Sequence, residues 1–203
     1  LASLFIAVTI AVPLGVIAAW RSGGIIDRLA MSFAVLGFSV PVFVLSYLLI
    51  ALFSVKMQIL PVQGYVPIAY GFIPFAKHLI LPAVSLGIIN AALIARITRT
   101  TMLEVLNQDY IRAARAKGLS VRRVLIRHAL KNAAVPIVTV IGISFALLIS
   151  GVVVTETVFN IPGLGRLTVD AILRRDYPVI QGVILVFSAT YVVVNLLVDL
   201  SYG

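Results

Sequence analysis

Cysteine is missing from the sequence, so neither a disulfide framework nor a thiolate metal site can be built from it. Histidine occurs twice, at His78 and His128, with no partner spacing that suggests a metal. Charge is scarce: Asp and Glu together number seven, Lys and Arg sixteen, and both signs make up only 11% of the chain. No Gly-x-x-x-x-Gly-Lys-Ser/Thr phosphate loop occurs, so the chain is not expected to hydrolyse ATP. No Ser/His/acid set or pair of intramembrane carboxylates suggests a protease. The strict apolar/polar alternation of a membrane β-barrel is also absent.

What fills the space is apolar. Hydrophobic residues make up 62% of the chain and recur in long uncharged runs, the composition of an integral membrane protein. A helix needs ~20 apolar residues to cross the hydrocarbon core. Five segments qualify: residues 1–20, 29–55, 79–97, 132–155 and 177–198. Helices are the spanning solution left, because each satisfies its own backbone polar groups. The expected fold is an all-α, polytopic transmembrane bundle in a single transmembrane domain. The run 1–20 is too long, and too lacking in a cationic leader, for a typical signal peptide. The chain starts without Met inside an apolar run, so a fragment is expected.

Orientation follows from the connections. Residues 21–28 hold two cations and residues 96–131 hold nine, whereas residues 56–78 hold two and residues 156–176 hold three, balanced by Glu156, Asp170 and Asp176. The positive-inside rule places the first and third connections in the cytoplasm. The net charge of +9 thus needs no nucleic acid, and only Tyr110 interleaves the cation block with an aromatic ring.

Lipid tails are as apolar as leucine, so spans associate where small residues let backbones approach. Such ladders are present: Ala7, Ala11, Gly15; Ala83, Gly87, Ala91, Ala95; and Gly142, Ala146, Ser150. No Asp, Glu, Lys or Arg sits at mid-membrane depth, which argues against an ion-coupled carrier with a buried relay. Among the intramembrane polar residues, Asn90 and Ser144 are the candidates to line a pathway, with an inter-helix hydrogen bond the competing role for Asn90. Outside, "MQILPVQGYVPIAYGFIP" is too broken by Pro and Gly to span, and reads as an interfacial loop or re-entrant segment. The stretch "ETVFNIPGLGRLTVDAILRRDYP" opens with a turn signal. A short amphipathic helix over 164–173 should follow, with Leu164, Leu167, Ala171 and Ile172 turned inward.

The block "YIRAARAKGLSVRRVLIRHALKNAAVP" carries seven Lys or Arg and no acid. It reads as two helices with a bend. Asp109 is placed to cap a helix over 110–117, Gly118 to end it in the left-handed conformation, and Ser120 to cap a second helix over 121–131 that runs into the fourth span. On the first helix Ala113, Ala114, Lys117 and Gly118 share a small face, ringed by Arg112, Arg115 and Arg122. A loop that merely lies on anionic lipid would need no such order.

"AARAKG" followed by "RHALKNAAVP" resembles the cytoplasmic loop of ABC-transporter permease subunits of the bacterial binding-protein-dependent type. Its Glu-Ala-Ala-x-x-x-Gly motif is matched by Ala113, Ala114 and Gly118, while Arg112 stands at the position of the Glu and Pro136 lies farther from the Gly. These departures, together with "ETVFNIPGLGRL" and "DAILRRDYPVIQG", resemble the dipeptide/oligopeptide/nickel permease branch. The resemblance covers nearly the whole chain. It implies a type I importer permease of the bacterial inner membrane, six spans in the intact chain, and a missing first span with the large outside segment after it.

It also implies the partners: a second permease subunit, two ATP-binding subunits that carry ATP and Mg, and an extracytoplasmic solute-binding protein. This chain itself binds no cofactor on that reading. Arg112, Ala113, Ala114, Arg115, Lys117, Gly118 and Leu119, in the loop 98–131, would couple to an ATPase. The solute would be a di- or oligopeptide, a nickel chelate, glutathione or a related small molecule. A passive channel and a lipid-binding scaffold are the alternative functions.

Overall fold

A computed structural model describes residues 1–200, without the side chains of residues 146, 147, 149 and 150. The α-helices are α1 (Ala2–Trp20), α2 (Ile25–Ser39), α3 (Val42–Leu49), α4 (Phe72–Leu106), α5 (Asp109–Ala116), α6 (Val121–Arg123), α7 (Lys131–Phe159), α8 (Leu164–Arg174) and α9 (Tyr177–Leu200). Wider π-helical turns extend α3 through Ile50–Lys56 and join α6 to α7 through Val124–Leu130. Four described helices are long and apolar enough to cross a membrane, and the bent pair α2–α3 makes a fifth if it is one span.

The pairing of α1 with α4 is the centre of the bundle, and the small-residue ladders explain it. Ala7, Ala11 and Gly15 of α1 are buried, as are Ala83, Gly87, Ala91 and Ala95 of α4. The backbones come so close that a Cβ on Gly15 would stand 2.7 Å from the Ala95 carbonyl oxygen. A Cβ on Gly87 would stand 3.1 Å from Ile6. Helix α7 packs behind α4, and α8 bridges α7 and α9. In the third ladder, Gly142 meets Val198 of α9; the side chains of Ala146 and Ser150 lie outside the described residues.

The segment 29–55, expected as one span, is two helices meeting at 104°. Pro41 is the cause. It brings no N–H, and its ring pushes Val40 out of the helical region, to φ −87° and ψ 122°. The Val40 N–H still bonds the Leu36 carbonyl and the Leu45 N–H the Pro41 carbonyl. The break therefore leaves little backbone unsatisfied.

Helix α4, expected over 79–97, runs 35 residues, about 52 Å at 1.5 Å per residue. It absorbs both the end of the outside loop and the start of the basic loop. What remains of that outside loop ties down the far end of α7: the Gln63 amide donates to the Val158 carbonyl at 2.9 Å, and the Gly64 N–H to that of Phe159 at 2.8 Å. These are helix-terminal carbonyls with no partner in their own helix.

Helix α8 forms where expected, and Ala171 is turned inward as expected, but the three large residues are not. Gly165 and Ala171 are buried, whereas Leu164, Leu167 and Ile172 are exposed. The smallest residues face α7 because the gap admits nothing larger: a Cβ on Gly165 would stand 2.6 Å from the Cα of Val153.

Candidate functional site

The site is the end of the bundle that carries the cation block. Helix α5 has only eight residues, too few to be stable alone, since isolated helices shorter than ~12 residues are marginal in water. Three local features hold it. Gln108, extended at φ −72° and ψ 149°, starts it as N-cap, so Asp109 lies in the first turn rather than at the cap. There its carboxylate favours the positive end of the helix dipole and pairs with Arg112 at 3.5 Å, an exposed contact of small energy.

Gly118 ends the helix at φ +76°. Its N–H bonds the Arg115 carbonyl at 2.9 Å, and the Leu119 N–H bonds that of Ala114 at 3.3 Å. That is the two-bond Schellman stop, which needs a residue in the left-handed conformation. Ser120 occupies the next N-cap with an extended backbone but makes no side-chain cap bond. The following helix runs into the next span as expected, passing through the π-helical segment Val124–Leu130 into α7.

The third feature is packing. Ile111 is fully buried in a cluster with Ala19 of α1, Met102 and Leu106 of α4, Val124 and Ala129 of the π-helical segment, and Ala133 and Ile137 of α7; Leu119 packs against it. Ala114 is buried too, whereas Ala113, Lys117 and Gly118 are exposed. The small face expected to be shared by Ala113, Ala114, Lys117 and Gly118 is therefore divided. Ala114 belongs to the anchoring side with Ile111, and Ala113, Lys117 and Arg112 to the outward side. Arg115 is not a free cation: its guanidinium lies 5.1 Å from the ring centroid of Trp20, the last residue of α1, a cation–π contact. Helix α5 thus puts one side into a cluster shared with α1, α4 and α7 and exposes Arg112 and Lys117 on the other.

Of the intramembrane candidates, Asn90 donates to the Leu86 carbonyl of its own helix at 2.8 Å, not to another helix. Ser144 is fully buried, and its hydroxyl has no partner. Both are enclosed between helices.

Two features escaped the sequence reading. Asp27, counted as a loop residue, lies on α2 and is buried; Arg99 of α4 grips it with Nε on one carboxylate oxygen and Nη2 on the other, the latter at 2.7 Å. A first-turn acid after Gly23-Gly24 was the available signal. At the opposite end, the Glu156 carboxylate of α7 accepts the Arg166 N–H at 2.9 Å, in the first turn of α8. A Cβ on Gly163 would overlap that carboxylate. The spaced Glu156, Gly163 and Gly165 of the "ETVFNIPGLGRL" stretch thus form one structural device: a carboxylate that caps a helix from outside, and two glycines that make room for it.

Residues 11–203 match the family described as binding-protein-dependent transport system inner membrane component. The chain belongs to that family.

Relatives of this inner membrane component extend along nearly all of it. The "Probable peptide ABC transporter permease protein y4tP" of Sinorhizobium fredii is 58% identical over 98% of this chain and 64% of its own length. The dipeptide transport system permease protein DppB of Escherichia coli is 45% identical, over 99% of this chain and 66% of its own length. The glutathione transport system permease protein GsiC of the same species is 46% identical, over 99% and 63%. The chain thus spans just under two thirds of these relatives. Among solved structures, an amino acid ABC transporter crystallised with histidines superposes with a TM-score of 0.66 at 19% identity, over 98% of this chain and 86% of that one. This likeness extends the family assignment to the fold.

Proposed function

We propose that this chain is a permease subunit of an ATP-driven importer for di- or oligopeptides, or a related small solute, and that α5 is the element an ATPase pushes. Relatives named for dipeptide, peptide and glutathione transport support the solute class. The observation that carries the mechanical part is the division of α5. One side is locked by Ile111 into a core shared with α1, α4 and α7, and the other stands exposed with Arg112, Ala113 and Lys117. A push on the outer side is transmitted to three spans at once. Net work requires that the ATPase hold α5 differently in its two nucleotide states.

On this reading the basic end faces the cytoplasm, as the cation bias requires. ATP and Mg sit on two partner subunits, a second permease completes the pathway, and a solute-binding protein delivers cargo outside. Arg112, replacing the Glu of the general motif, pairs with an acid on the ATPase. Leu119, Gly118 and Arg115 set the angle of α5 rather than touching the partner. Asn90 and Ser144, enclosed here, become pathway residues only when the bundle rearranges.

The test uses the full complex in proteoliposomes, supplied with a mixed dipeptide pool that is quantified inside by mass spectrometry. ATP-dependent accumulation is expected. Accumulation to equilibrium without ATPases or nucleotide would make the chain a passive channel instead. Lys117→Cys, in a sequence with no cysteine of its own, should crosslink to the ATPase subunit.

A further inference from the structure

The turn between α1 and α2 is gripped on both sides. On one side is Trp20, half-buried at the end of α1 and covered by the Arg115 guanidinium of α5. On the other is Asp27, 4% exposed on the first turn of α2 and held by Nε and Nη2 of Arg99. The turn itself is stiffened from within. Gly23 adopts φ +77°, its N–H donates to Asp27 Oδ2 at 2.9 Å, and the Gly24 N–H bonds the Arg21 carbonyl at 3.0 Å.

Asp27 is the only buried carboxylate among the described residues. A buried ion pair rarely adds net stability over apolar packing, so its use lies in fixing one arrangement against others. Here the arrangement is the position of the α2 start, from which α2 runs to the 104° break at Pro41.

We propose that Trp20, Asp27 and Arg99 are positioning residues that form a second linkage from α5 into the bundle. Displacement of α5 drags Trp20 through Arg115. The stiff turn carries that displacement to Asp27, and α2 swings about the break at Pro41 with Arg99 of α4 as its pivot. This rests on α5 being the element an ATPase moves.

The experiment measures dipeptide accumulated per ATP hydrolysed by the whole complex in proteoliposomes, alongside the amount of assembled complex. Asp27→Asn, Trp20→Leu and Trp20→Phe are compared with wild type, as is the exchanged pair Asp27→Arg with Arg99→Asp. Expected is at least a fivefold fall in the ratio for Asp27→Asn and Trp20→Leu at unchanged assembly and ATPase rate. Trp20→Phe should keep most of the ratio, because a ring still faces Arg115, and the exchanged pair should recover most of what Asp27→Asn loses. A wild-type ratio in both assembled single variants overturns the linkage. If Asp27→Asn does not assemble, Trp20→Leu against Trp20→Phe decides alone, equal ratios overturning the proposal. Wild-type complex that accumulates nothing with ATP refutes the importer itself, a separate outcome.

Discussion

Gly118 offers a test in which backbone strain and steric bulk separate. Its φ of +76° suits glycine, yet a Cβ built there meets no atom within 4 Å. Substitution therefore costs only the left-handed conformation, about 1–2 kcal/mol for alanine, more for β-branched valine, and much less for asparagine. That is a factor of roughly 5–30 in the ratio of capped to uncapped helix. The helix has only eight residues, and besides the cap its last turn is held by buried Ala114, by Leu119 against the core and by Arg115 over Trp20. Hydrogen exchange of the Leu119 amide, which bonds the Ala114 carbonyl only when the cap is formed, reads the ratio directly. Exchange should quicken in the order Gly, Asn, Ala, Val, and solute moved per ATP should fall in the same order. If alanine behaves like glycine, or asparagine is as harmful as valine, the conformation of Gly118 is not what orders α5.

At the opposite end, Gly163→Ala forces its Cβ into the Glu156 carboxylate, and overpacking of this kind costs about 1–3 kcal/mol. A lowered Tm in detergent is expected, and Gly163→Ala with Glu156→Ala should lose less than the sum of the two single variants; strict additivity would refute the contact. Thr98 is fully buried on α4 with an unpaired hydroxyl. Thr98→Val should raise Tm by relieving a desolvation penalty of about 1–3 kcal/mol, whereas a fall would mean that the hydroxyl has a partner in the working protein.

Much of this was legible in the sequence because membrane physics simplifies the code. Long uncharged runs mark helices, small-residue ladders mark where they touch, and both signals are local. The ladders of α1 and α4 did come to face one another, and Gly118 did take the left-handed stop. Orientation of short amphipathic pieces was less legible. Helix α8 turns Gly165 to α7 because contact distance, not hydrophobicity, selects what fits against Val153. Helix α5 likewise divides its alanines according to where α1, α4 and α7 leave room.

The sequence by itself determined that the chain is a helical membrane bundle, which end is basic, and where the basic loop bends, since these depend on composition and on near-neighbour backbone preferences. Only the tertiary structure decided that Asp27 meets Arg99, that Arg115 rests on Trp20, and that Glu156 caps α8. Each joins groups whose closeness is set by the packing of whole helices, and no local pattern of residues encodes that geometry.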